Sequence, residues 1–89
     1  MNVSGARRCL LLATEARGAL MVSADSASGP GEGVEAKVLL ADQSEVTVWI
    51  LRDGLRWVVS SRIGEWEATD HPDSVLHAIA CALGDPGTE

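Results

Sequence analysis

Residues 45–61 read Glu-Val-Thr-Val-Trp-Ile-Leu-Arg-Asp-Gly-Leu-Arg-Trp-Val-Val-Ser-Ser. Two runs rich in β-branched and aromatic residues flank Asp53-Gly54, the strongest short hairpin signal. A type I′ turn, with positive φ at both central positions, suits this dipeptide and predicts strands over 45–52 and 55–61. That turn sets Arg52 opposite Leu55, Ile50 opposite Trp57, Val48 opposite Val59 and Val46 opposite Ser61, with Trp49 opposite Val58. Side chains alternate across a strand. Val46, Val48, Ile50, Trp57 and Val59 therefore share the expected core face. Thr47, Trp49, Leu51, Arg56, Val58 and Ser60 share the other, which is too apolar for plain solvent surface.

Outward from the hairpin, Val34, Ala36, Val38 and Leu40 alternate with Glu35, Lys37, Leu39 and Ala41, a period-two pattern that predicts a strand over 34–41. Asp42-Gln43-Ser44 joins it to the hairpin. Arg62-Ile63-Gly64 turns the chain again, and Glu65-Trp66-Glu67-Ala68 suggests a short edge strand whose glutamates discourage foreign pairing. Residues 71–83 predict a helix. Asp70 or His71 caps it, Pro72 sits in its first turn, Gly84 ends it, and Val75, Leu76, Ile79, Ala80, Ala82 and Leu83 form its apolar stripe. Ser74, His77, Ala78 and Cys81 form its rear face. Residues 4–22 read as a helix capped by Ser4, with Cys9, Leu12, Ala13, Ala16 and Leu20 at helical spacing; the competing reading is two strands, 8–13 and 19–24. Residues 23–33, with three glycines and a proline, predict a flexible loop, and 85–89 a disordered tail.

These elements amount to an α+β fold. A three- to four-stranded antiparallel meander over 34–69 packs with an N-terminal and a C-terminal helix in a single small domain, 1–89. A chain of 9.3 kDa buries a little over ~60 % of its unfolded surface, enough for one modest core and little more. Phe and Tyr are absent, so Trp49, Trp57 and Trp66 are the only aromatics.

The net charge is −6. Acids and bases cancel over residues 1–62, whereas Glu65, Glu67, Asp70, Asp73, Asp85 and Glu89 follow with no Lys or Arg beyond. Such a field repels nucleic acid and anionic membrane and attracts a basic protein surface. Its bland explanation is solubility. Arg7-Arg8 before Cys9-Leu10-Leu11-Leu12 is too short a run for a signal peptide, and Glu15 and Arg17 interrupt it, so the cytoplasm is expected. The preference for Arg over Lys, with abundant Ala, Gly and Val, suits a GC-rich bacterial or phage genome.

Chemistry-bearing patterns are sparse. Gly29, Gly31 and Gly33 lack the lysine and the strand–helix context of a phosphate loop. His77 and Cys81, four apart on a helix, are able to form a thiolate–imidazole pair, although no third group visibly orients the base and a metal needs more ligands. Asp70-His71-Pro72-Asp73 reads as helix capping before it reads as an acid–base cluster. Trp49, with Leu51, Arg56 and Val58, is core if a helix covers its face and a partner-binding anchor if none does. The expected function is a non-catalytic protein-binding module: an adaptor, an inhibitor or a small subunit. It would present Trp49, Leu51, Arg56 and Val58, or the carboxylates of Glu65, Glu67, Asp70 and Asp73, to a larger protein with a basic, nucleic-acid-binding surface. A homodimer is a further expectation; direct nucleic-acid or membrane binding, a cofactor and a metal are not expected. The alternative is a small enzyme using Cys81 and His77.

Overall fold

The computed structural model describes residues 1–27 and 32–84. Helix α1 (Val3–Ala16) leads into strands β1 (Leu20–Ser26), β2 (Gly33–Leu39), β3 (Glu45–Asp53), β4 (Arg56–Ser61) and β5 (Gly64–Thr69), and helix α2 (Pro72–Ala82) follows. The strands form one antiparallel sheet in chain order. The α+β class therefore stands, but the sheet has five strands where three or four were expected.

The additional strand comes from residues expected in a helix and a loop. Helix α1 starts earlier than predicted, with Asn2 rather than Ser4 as its cap: the Asn2 side chain accepts from the Gly5 amide at 2.9 Å. It stops at Ala16 because Gly18 takes φ +65°, a left-handed conformation open to glycine and the usual way to end a helix. Leu20-Met21-Val22 then runs extended against β2, with a bulge between Met21 and Ser23. Residues 23–26 belong to β1 and Gly33 to β2, so both ends of the predicted 23–33 loop lie in the sheet. Residues 28–31 of that loop and the predicted 85–89 tail lie outside the described residues.

The hairpin turn also differs from its expected form. Asp53 pairs with Arg56, Arg52 with Trp57, Ile50 with Val59, Leu51 with Val58 and Trp49 with Ser60. The central residues are thus Gly54 and Leu55, and only Gly54 has positive φ (+64°). A glycine first in a two-residue loop is the type II′ arrangement, which needs one left-handed residue where type I′ needs two. The resulting slip spans an even number of residues, so every side chain keeps its predicted face.

Val46, Val48, Ile50, Trp57 and Val59 join Val34, Ala36 and Val38 in the buried core. Both helices lie on this side. Helix α1 contributes Ala6, Cys9, Leu10 and Ala13; α2 contributes Val75, Ala78, Ile79 and Ala82. The helices also pack on each other, which rotates both buried stripes from their expected positions: Ala78 is in the core, and Leu12 is 47 % exposed. Small residues at Ala6, Cys9, Ala13, Ala78 and Ala82 permit that close approach. Thr14 is buried without cost because its hydroxyl donates within the helix to the carbonyls of Leu10 and Leu11.

Candidate functional site

Because both helices sit on one side, the opposite face of the sheet carries no covering element among the described residues. The strand registers place Trp49, Leu51, Arg56, Val58, Glu65 and Glu67 together there: Leu51 is opposite Val58 and Val58 opposite Glu67, while Ser60 lies between Trp49 and Glu65. The tryptophan patch and the acidic strand, separate in the sequence, are thus one surface. Its centre is apolar. Leu51 is 40 % exposed, and Trp49 and Val58 are partly exposed. Leu51 can lie over the sheet because its neighbour is Gly33: a Cβ at that position would come within 2.6 Å of Leu51 Cδ2 and 2.9 Å of the Ile50 carbonyl oxygen.

The rim is charged. On the same face alternation sets Asp25, Glu35, Glu45, Asp53, Glu65 and Glu67 against only Lys37 and Arg56. The Trp49 indole N–H donates to Glu35 Oε1 at 3.1 Å, which fixes the ring beside a carboxylate. Arg56 pairs with Glu67 at 3.2 Å, but both side chains are about two-thirds exposed, so the pair contributes little to stability. The face thus combines an apolar centre with a mostly acidic rim.

Asp70 lies elsewhere. Its Oδ1 accepts from the buried Trp57 indole at 2.8 Å and from the Met1 amino group at 3.0 Å, and Oδ2 lies 3.7 Å from Arg52 Nη2. The Arg52 guanidinium stacks 5.3 Å from the Trp57 ring centre and donates to the Met1 carbonyl at 2.7 Å. This cluster closes the end of the core, and no sequence pattern reveals it because Asp70 is 13 positions from Trp57 and 69 from Met1. Asp73 is exposed in the first turn of α2, whose cap is His71: the imidazole accepts from the Asp73 amide at 3.3 Å.

The hydrogen bond from Trp57, then that from the Met1 amino group, holds the Asp70 carboxyl below its usual range, and Arg52 acts in the same direction. A folded-state value below the unfolded one adds stability above about pH 4 that is lost as pH falls through the folded value. Asp70→Asn is therefore expected to melt below the parent at pH 7, with the gap closing toward pH 2. Thermal melts followed by circular dichroism across that range check it; a gap independent of pH would assign Asp70 no electrostatic role.

Cys81 Sγ and His77 Nε2 are 3.8 Å apart on α2, close enough for a weak contact. No cluster of three or more His, Cys, Asp or Glu able to hold a metal occurs among the described residues. Both cysteines are free; Cys9 is 4 % exposed, and burial, then the charge of Asp73, pushes its thiol up. A disulfide reagent at neutral pH is expected to modify Cys81 no faster than free cysteine, and Cys9 at least ~100-fold more slowly, since it reacts only through opening of the fold. Mass spectrometry of the time course reads both rates. A Cys81 rate well above that of free cysteine would favour thiolate chemistry.

Among the described residues, no helix is long and apolar enough to cross a membrane. Comparison with protein-family models, with curated proteins and with solved structures finds no match to this chain.

Proposed function

We propose that the protein is a non-catalytic binding module, an adaptor, inhibitor or small subunit, whose partner is a larger protein with a basic surface. One observation carries the reading. The large apolar side chains at the middle of the uncovered sheet face, Trp49, Leu51 and Val58, are bordered by carboxylates of four strands. Burying the apolar centre supplies affinity, and the rim supplies orientation and attraction at a distance. A partner that uses its basic surface to bind nucleic acid would be blocked by this contact.

Affinity capture from nuclease-treated lysate of the source cells tests it when the wild-type protein is run beside Trp49→Ala and Glu65→Lys/Glu67→Lys. A basic protein retained by the wild type at low salt and lost with both variants supports the reading. The same proteins retained by all three would overturn it.

A further inference from the structure

We propose that two copies of this chain associate edge to edge, through β1 and the exposed stripe of α1, into one continuous sheet. The two sheet edges differ. β5 carries Glu65 and Glu67, the kind of charge that blunts an edge. β1 opens on Leu20-Met21-Val22-Ser23-Ala24 with no charge, and Leu20 is 62 % and Val22 55 % exposed. The bulge at Val22 and the charge of Asp25 further along are the protective devices on this edge, and both leave Leu20-Met21 open.

Helix α1 flanks the same edge and is self-complementary. Arg8, Leu11, Leu12 and Glu15 follow i, i+3, i+4, i+7, one stripe, and all four are exposed. A two-fold axis between Leu11 and Leu12 makes an antiparallel helix pair in which leucines meet leucines and each Arg8 meets the Glu15 of the other copy. The strand agrees on the position of that axis. Counted back from the turn at Gly18, a rise of ~1.5 Å per helical residue and ~3.3 Å per strand residue puts the level of Leu11–Leu12 at about Met21. Met21 does line the groove formed with Arg8, Leu11 and Leu12. An antiparallel strand pair centred on Met21 sets each Leu20 opposite the other copy's Val22. One axis thus pairs residues 20–22 of the two edges and brings the exposed apolar side chains and the charges together, as an isologous interface requires. The two Trp49 faces would then lie on the same side of a doubled sheet.

Sedimentation equilibrium from about 1 μM to about 1 mM, the span of modest interfaces, tests the proposal. The expected mass at the upper end is twice the 9.3 kDa chain. Val22→Lys should be monomeric throughout with an unchanged circular dichroism spectrum. Arg8→Glu and Glu15→Arg should each weaken the dimer about tenfold, because each sets like charges across the axis. Together they should restore it to within about twofold, because the reversed pair is again complementary. A wild-type monomer at the highest concentration overturns the proposal. So does a dimer that survives Val22→Lys, or one that the paired reversal fails to restore.

Discussion

Replacing Trp57 by alanine is expected to destabilise the protein by about 3–5 kcal/mol, the usual cost of emptying a buried aromatic site. Trp57 is fully buried and heads the largest side chains of the core. Around it are valines, alanines and isoleucines, and the other aromatic packed against this cluster, Trp66, is only partly buried. The loss reaches beyond the cavity. Asp70 would lose the indole donor at 2.8 Å, and Arg52 would lose the ring beneath its guanidinium. A domain of this length has a total stability of about 4–13 kcal/mol, so the variant would keep only a fraction of it or none. The melting temperature should fall by about 12–40 °C. Trp57→Phe keeps most of the volume but not the N–H, and should fall between the alanine variant and the parent. Urea and thermal unfolding by circular dichroism read both. A drop under about 5 °C for Trp57→Ala would mean that the core closes over the gap and that Trp57 is not its keystone.

The place of Trp57 in the core is legible in the sequence, because alternation alone puts it with Val46, Val48, Ile50 and Val59, and an even slip of register leaves the face unchanged. The turn itself is not legible: Asp53-Gly54 serves both type I′ and type II′, and the neighbours do not decide between them. β1 is obscured for a different reason. Leu20-Met21-Val22 continues an apolar run that a helix or a strand could equally carry, and Gly18, a weak point inside a longer helix, is in fact where the helix ends. The merging of the two candidate surfaces is available in principle. Ser61 pairs with Gly64 across Arg62-Ile63, and counting back from that two-residue turn sets Ser60 opposite Glu65 and Val58 opposite Glu67. Asp70 cannot be placed that way, since its role depends on where the chain start and Trp57 meet in space.

Trp49 and Trp57 sit eight positions apart in sequence and on opposite faces of the sheet, and their substitutions should separate binding from folding. Trp49→Ala removes a partly exposed ring and one hydrogen bond to Glu35, so its melting temperature should stay within a few degrees of the parent's. Its affinity for the captured partner should fall about 30-fold or more, as for a central aromatic anchor worth about 2 kcal/mol. The rim should behave differently. Glu65→Lys/Glu67→Lys reverses charges on the outer strand, where water screens them, so it should slow association and flatten the dependence of affinity on salt while leaving dissociation nearly unchanged. Trp49→Ala should do the reverse, accelerating dissociation at every ionic strength. Surface plasmon resonance at two salt concentrations reads both rates for each variant. If Trp49→Ala binds as the wild type does while the glutamate reversal abolishes binding, the partner is held by the acidic edge alone. The apolar centre of the sheet then has no part in recognition.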